Sequence, residues 1–271
     1  MKIINNLCLA ASALVLSALT SCASSPDSNS EVASEAQPCG KIRRALFIGD
    51  SITDGSWGHD CAGSPSAERD TTDLNHIYGH GYMYICASEL QSLYPAEDIK
   101  FFNRGISGHT LKMMADRWDA DCVSLRPDLV SILIGTNDVE YFVGADAIKG
   151  DFDFAAWDAI YRHSLDTLIS VCPDVRLVLC TPFVAKSGWR GEAENFGLRQ
   201  ALVDSLDVRV ASIASDYGAT LVKFDQLFRE LAQIQPRDDY WIWDGVHPTA
   251  AGHSRMASLW LGKMFSAKIF Q

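Results

Sequence analysis

The chain has 271 residues, of which 48 % are hydrophobic, and its 34 acidic against 23 basic residues give a net charge of −11. This charge argues against nucleic acid as a partner, because phosphate backbones are bound by basic surfaces. Residues 41–271, which follow the N-terminal segments described next, suit a single α/β domain in length.

The N-terminus predicts an export signal. Lys2 is followed by an apolar stretch, residues 7–19, that is too short to span a membrane comfortably. The Leu-Thr-Ser-Cys string that ends at Cys22 resembles a bacterial lipobox, so we interpret residues 1–21 as a lipoprotein signal peptide and Cys22 as the lipidated mature N-terminus. An ordinary secretory cleavage site with an incidental cysteine is the alternative.

Residues 22–40 are rich in Ser, Glu and Ala and are typical of a flexible spacer. With a lipid anchor in front of this spacer, we expect the protein in the bacterial cell envelope, at the outer membrane or in the periplasm. The anchor is then the only predicted contact with a membrane.

Apolar runs and helical patterns alternate along residues 41–271. This alternation predicts a single three-layer α/β domain, a parallel sheet with helices on both faces. The predicted strands are 45–48, a strand ending at Phe102, 129–134, 175–179 and 220–224, and the predicted helices are 82–94, 111–125, 154–171, 194–217 and 249–265.

The first three predicted strands each lead into a residue that can carry chemistry. Ser51 follows the first strand, Gly105 the second and Asn137 the third. Because the carboxyl ends of parallel strands meet at one edge of a sheet, we expect a hydroxyl, a backbone N–H and a side-chain amide to converge there. Gly and Asn are also ordinary loop residues, and Asp50 and Ser51 could simply cap a helix. The convergence favours a functional site.

A carboxylate and an imidazole lie together near the C-terminus. Asp244 precedes His247 by three residues, with Gly245 between them, so one loop could hold the carboxylate against one imidazole nitrogen. The other nitrogen would then face Ser51. Such a carboxylate fixes the histidine tautomer and stabilises the imidazolium that forms during catalysis. A surface turn before the last helix is the alternative.

Together these strings resemble the SGNH, or GDSL, hydrolase family from about residue 44 to the C-terminus. The chain lacks the G-x-S-x-G nucleophile elbow of the α/β-hydrolases proper. The resemblance implies a five-stranded sheet in the order 2-1-3-4-5 and an enzyme that needs no cofactor and no metal. It implies the following roles: nucleophile Ser51, base His247, third triad member Asp244, and oxyanion donors Gly105, Asn137 and the backbone N–H of Ser51.

The substrate is suggested by the surroundings of these residues. Trp241 and Trp243 come directly before Asp244 and could stack on sugar rings, although core packing would explain them equally well. Residues 55–81 form a long polar segment without the apolar stripe of an acyl-chain groove. We therefore predict that Asp50, Trp241 and Trp243 contact the substrate.

We therefore predict a serine esterase that hydrolyses small acyl esters, above all acetyl esters, on a polysaccharide or oligosaccharide. In this the chain resembles bacterial carbohydrate acetylesterases. A lysophospholipase or thioesterase acting on longer acyl chains is the first alternative. The second is a non-catalytic glycan-binding lipoprotein, which would be expected to have lost at least one catalytic residue.

Cysteine and histidine spacing adds little. Of the 8 cysteines, Cys8 leaves with the signal and Cys22 is lipidated, so six remain and their pairing stays open between disulfides and free thiols. The chain contains no C-x-x-C and no H-E-x-x-H string, so we predict no metal site. His76 and His80 are expected in a loop near the active site.

Overall fold

The computed structural model describes residues 41–55, 74, 76–144, 150–188 and 194–270. The predicted signal peptide, Cys22 and the spacer lie outside these residues, so lipidation stays a prediction. No helix within the described ranges is both long enough and apolar enough to cross a membrane.

Five parallel strands form one sheet in the order β2-β1-β3-β4-β5, which confirms the expected fold. Gly49 at the end of β1 pairs with Gly105 on one side and with Leu133 on the other, so the carboxyl ends of three strands finish level. The chain leaves β1 toward β2 and then crosses to β3 on the opposite side. This reversal makes a crevice at the carboxyl ends of β1 and β3. The strands are β1 (Arg44–Gly49), β2 (Lys100–Gly105), β3 (Leu129–Leu133), β4 (Arg176–Cys180) and β5 (Thr220–Val222).

Helices cover both faces of the sheet because successive strand residues point to opposite sides. On β1, Ala45 and Phe47 enter one core and Leu46 and Ile48 enter the other. The first core is closed by α2, α8 and α9, and the second by α3 to α7. The described helices are α1 (Ser51–Asp54), α2 (Tyr82–Leu93), α3 (Leu111–Asp116), α4 (Trp118–Asp121), α5 (Thr136–Gly144), α6 (Phe154–Val171), α7 (Phe196–Asp216), α8 (Phe224–Ile234) and α9 (Ala250–Ser266), with 3-10 turns at Pro95–Glu97 and Val123–Leu125.

The structure differs from the predicted elements in four main places. Helices α5 and α8 were not predicted, and β2 runs on to Gly105, beyond its predicted end at Phe102. The helix predicted over 111–125 is interrupted at Arg117, whose φ of −111° and ψ of 9° are not helical. Its side chain turns inward to the carboxyl ends of β1 and β2, where it binds backbone carbonyl groups.

Candidate active site

Ser51 is the first residue of α1 and lies just past the end of β1. Asp50 caps this helix, since its Oδ1 accepts a hydrogen bond of 2.9 Å from the backbone N–H of Ile52. Asp50 therefore caps the helix while the adjacent Ser51 occupies the position expected of a nucleophile. The two interpretations of this pair, a helix cap and a functional site, are compatible. The half-buried Ser51 side chain is presented at the crevice.

Asp50 is only 1 % exposed, so it is not open to a substrate, although a substrate contact was predicted for it. Its Oδ2 is buried without a hydrogen-bond partner among the described residues. Burial raises the pKa of Asp50 to about 7, against the lowering effects of the Ile52 N–H and of His247.

His247 and Asp244 form a relay with Ser51. Ser51 Oγ lies 2.8 Å from His247 Nε2, and His247 Nδ1 lies 2.7 Å from Asp244 Oδ2. With Nδ1 facing a carboxylate, the proton belongs on Nδ1 and the lone pair of Nε2 faces the hydroxyl. This arrangement can take a proton from Ser51.

The loop around this pair is held by its own backbone. Ile242 and Pro248 form an antiparallel bridge across it, and the Trp243 N–H donates to the His247 carbonyl oxygen at 3.0 Å. Burial alone would raise the pKa of Asp244, but hydrogen bonds from the imidazole and from the N–H groups of His247 and Val246 hold it well below its usual range. Asp244 is therefore ionised at neutral pH.

Asn137 lies in the first turn of α5, beside a turn that follows β2. Its Nδ2 donates to the carbonyl oxygen of His109 at 3.1 Å. The turn is closed by the His109 N–H, which donates to the Ile106 carbonyl oxygen at 3.2 Å, and Gly108 within it has a φ of +80°, a conformation that favours glycine. A side-chain amide has two N–H donors, so this bond leaves one for a substrate oxygen.

Gly105 does not match its predicted role as an oxyanion donor. Its N–H donates to Asn103 Oδ1 at 3.0 Å, within the protein. A Cβ at this position would lie 2.2 Å from the backbone nitrogen of Asp54, so the glycine is needed where α1 packs on β2. Asn103 Nδ2 in turn donates to the carbonyl oxygens of Thr53 and Asp54, which end α1. Sequence reasoning missed Asn103, since a polar residue inside a buried strand gives no sign of its partners.

The two predicted tryptophans have different surroundings. Trp243 is 56 % exposed, and its ring lies over the His247 imidazole with the centroids 6.5 Å apart and the planes 25° from parallel. Trp241 packs against the core, and its indole N–H donates to the Leu231 carbonyl oxygen at 3.0 Å. Trp243 is therefore the one of the pair that a ligand at Ser51 could reach.

Tyr141 is a third aromatic side chain at the site, and sequence reasoning missed it. It is 55 % exposed, and its hydroxyl would lie 3.1 Å from a Cβ added to Gly108. Tyr141 follows Asn137 by four residues on α5, a spacing that puts both on one face of the helix. This spacing becomes informative only when residues 136–144 are known to form a helix.

The segment with His76 and His80 lies close to the nucleophile helix, as expected. The His80 N–H donates to the carbonyl oxygen of Gly55, one residue past α1. The two imidazole centroids are 6.1 Å apart. Within the described ranges, no group of three or more acidic, histidine or cysteine side chains could hold a metal ion, and the cysteines there are free thiols: Cys86, Cys122, Cys172 and Cys180.

Comparison with known proteins relates this chain to esterases. The sequence model of the GDSL-like Lipase/Acylhydrolase family matches residues 47–255. An acetylxylan esterase from Geobacillus stearothermophilus is 32 % identical over 232 residues, which cover 82 % of this chain and 94 % of the relative. A structure from Parabacteroides merdae, described as a GDSL-like lipase, matches with a TM-score of 0.71 and 28 % identity over 84 % of this chain and 97 % of that one.

Solved mutants of the Geobacillus stearothermophilus esterase add a point about spacing. A catalytic mutant of it, with an aspartate replaced by alanine, matches with a TM-score of 0.68 and 26 % identity over 83 % of this chain and 95 % of that one. Other mutants called catalytic replace a histidine or a serine. In that esterase the aspartate precedes the histidine by three positions, which is the spacing of Asp244 and His247.

Proposed function

Because the chain belongs to the GDSL-like lipase/acylhydrolase family and is a carboxylic ester hydrolase, we propose that it removes acetyl groups from an acetylated carbohydrate through an acyl-enzyme on Ser51. The observation that carries this proposal is the line of three side chains at the crevice, in which Ser51 Oγ contacts His247 Nε2 and His247 Nδ1 contacts Asp244 Oδ2.

Acylation begins with attack of Ser51 Oγ on the carbonyl carbon of the ester. His247 Nε2 takes the hydroxyl proton and then gives it to the departing sugar oxygen, so the acetyl group stays on Ser51 and the alcohol leaves. The ionised Asp244 stabilises the imidazolium between these two transfers. Water then attacks the acyl-enzyme while His247 takes its proton, and His247 gives this proton to Ser51 Oγ as acetate leaves.

The oxyanion of each tetrahedral intermediate needs hydrogen-bond donors placed in advance. We assign the backbone N–H of Ser51, the free N–H of the Asn137 amide and the backbone N–H of Gly108. Gly108 takes the place of Gly105 in this assignment because the Gly105 N–H is bonded to Asn103. The Gly108 peptide belongs to the same turn as the His109 carbonyl that Asn137 binds, so the two donors lie together.

Two exposed aromatic side chains support a carbohydrate substrate. Trp243 lies over His247, and Tyr141 lies beside Gly108. Exposed aromatic rings next to a nucleophile can stack on the apolar faces of sugar rings. The acetylxylan esterase relative points to the same class of substrate. The lipid anchor predicted at Cys22 would hold such an enzyme at the bacterial cell envelope.

The proposal is tested by giving the protein acetylated xylooligosaccharides and a series of p-nitrophenyl esters from acetate to palmitate. We expect acetate release from the sugar, highest kcat/KM on the shortest esters, and no turnover by the Ser51→Ala variant. A preference for long chains would replace the proposal with a lysophospholipase or thioesterase. Binding of the oligosaccharide with no Ser51-dependent turnover would replace it with a glycan-binding protein.

A further inference from the structure

Arg117 lies between α3 and α4, and its side chain is 13 % exposed although it carries a charge. Four hydrogen bonds join the guanidinium to described residues. Nη1 donates to the Arg104 carbonyl oxygen at 2.8 Å and to Asp121 Oδ2 at 2.7 Å, Nη2 to the Gly49 carbonyl oxygen at 3.0 Å, and Nε to His109 Nδ1 at 3.2 Å. The guanidinium therefore joins the break between α3 and α4 to the ends of β1 and β2.

Apart from Asp121, these partners lie on β1, on β2 and in the turn that contains Gly108, the segments beside the proposed oxyanion site. Gly49 ends β1 and lies two residues before Ser51, and Arg104 lies on β2 just before the turn that contains Gly108. His109 ends that turn, and its carbonyl oxygen accepts the bond from Asn137. One planar group therefore sets the distance between the nucleophile strand and the donor turn.

We propose that Arg117 is a positioning residue for ester hydrolysis, which holds the Gly108 turn and, through His109, the Asn137 amide at the distance from Ser51 that the oxyanion requires. This inference rests on the proposed function, because it needs Ser51 as the nucleophile and Asn137 as a donor. Arg117 contacts backbone and side chains of the protein and does not touch the substrate.

The chemistry of the guanidinium suits this task. Its N–H donors leave a rigid plane in fixed directions, whereas a lysine ammonium is a flexible point charge that cannot reach three separated segments at once. Asp121 is 1 % exposed in its side chain and neutralises the charge that would otherwise be buried beside the site. The bond from Nε to His109 Nδ1 also requires a neutral imidazole, so the turn carries no second positive charge.

Arg117→Lys tests the proposal on p-nitrophenyl acetate, with Asn137→Ala and the double variant measured beside it. Donors matter most when the oxyanion exists, so we expect kcat to fall about 10- to 100-fold while KM changes less than about threefold. If Arg117 acts through Asn137, the double variant should keep at least about tenfold more activity than the product of the two single losses predicts.

Arg199→Lys is the matched control. Arg199 forms a comparably buried pair with Glu140 on α5, the helix that carries Asn137, but it reaches neither strand end nor the Gly108 turn. We expect its kcat to stay within about threefold of the wild-type value. A loss as large as that of Arg117→Lys would overturn the proposal, since it would show that any buried pair near α5 has this effect.

Asp121→Asn serves as a second variant in case Arg117→Lys fails to fold. It leaves the Arg117 bonds to backbone in place and removes the buried counter-charge. We expect kcat to fall by about 3- to 10-fold, less than in Arg117→Lys, while KM stays unchanged. Wild-type kcat in both variants, a loss confined to KM, or strictly multiplicative losses with Asn137→Ala would overturn the inference. Unchanged hydrolysis by Ser51→Ala would instead overturn the proposed function, which separates the two failures.

Discussion

Asp244 binds His247 at two points, through the imidazole Nδ1 at 2.7 Å and through the backbone N–H at 2.7 Å. The carboxylate therefore fixes the orientation of the ring and the path of the chain that carries it. Oδ2 accepts from the imidazole and Oδ1 from the backbone N–H, so a substitution can remove one contact and keep the other.

Asp244→Asn tests the ring contact. The asparagine oxygen can keep the backbone bond, but its amide NH2 then faces Nδ1 and favours the tautomer with a proton on Nε2, which cannot accept from Ser51. We expect kcat on p-nitrophenyl acetate to fall about 10²- to 10⁴-fold with little change in Tm. Full activity in this variant would mean that Ser51 and His247 work as a dyad.

Asn137→Ala removes a side-chain donor to the oxyanion. We expect kcat to fall by about 10²- to 10³-fold, because this interaction is made most strongly in the transition state, and KM to change little. Steady-state kinetics on the same ester measures both constants. An unchanged kcat would take Asn137 out of the oxyanion site.

The two glycines after β2 should respond differently to alanine. Gly105→Ala places a Cβ against the backbone of Asp54, and we expect a large fall in Tm. Gly108→Ala strains a residue at φ +80° and brings a Cβ near the hydroxyl of the exposed Tyr141 side chain, so we expect a smaller fall in Tm but a loss of kcat. Thermal melting and kinetics of both variants check this contrast. Alanine keeps the backbone N–H and disturbs only its placement, so wild-type kcat in a folded Gly108→Ala protein would contradict the expected loss and show that the oxyanion site tolerates a side chain in this turn.

Trp243→Ala tests the sugar platform beside His247. We expect KM for an acetylated xylooligosaccharide to rise about tenfold or more, while KM for p-nitrophenyl acetate changes less, because only the larger substrate extends over the ring. Trp241→Ala is the comparison: its indole packs in the core, so it should lower Tm instead. Equal effects of Trp243→Ala on both substrates would argue against stacking on sugar.

Asp50 makes stability depend on pH. Its pKa is about 7 in the folded protein and 3.8 as the ordinary value, so between these values the folded state holds a proton that the unfolded state has lost. The free energy of unfolding should therefore fall as pH rises from 4 to 7, by at most about 4 kcal/mol from this group. Asp50→Asn is a suitable variant for isolating this effect, because Asn is as good a helix cap as Asp and does not titrate.

Urea unfolding of wild type and Asp50→Asn at several pH values isolates this effect. The wild type minus variant difference in free energy should become less favourable to the wild type from pH 4 to pH 7. A difference that stays constant over this range would show that Asp50 titrates normally.

The alternation of strands and helices and the closeness of Asp244 to His247 could be predicted because they depend on local patterns, whereas the strand order came from the family resemblance. Apolar runs mark β1 and β3, and the three-residue spacing of Asp244 and His247 allows one loop to hold both. The engagement of the Gly105 N–H within the protein could not be predicted, because it depends on a bond to the side chain of Asn103.

Helix α5 and the break at Arg117 escaped prediction for a related reason. Thr136, Asn137 and Asp138 are typical of a loop after a strand, yet they form the first turn of a helix whose later residues pack in the core. Arg117 lies in a sequence with a helical apolar pattern, and carbonyl groups of β1 and β2 draw its side chain inward. Contacts between distant segments decided both cases.

The most direct test of the account is to find the acyl-enzyme. The protein is mixed with p-nitrophenyl acetate, quenched in acid within the first turnovers and digested, and the peptides are analysed by mass spectrometry. We predict one acetyl group on the peptide that contains Ser51, and none in the Ser51→Ala variant. Steady hydrolysis that persists in Ser51→Ala, with no acetyl group on the Ser51 peptide of the wild type, would contradict the account.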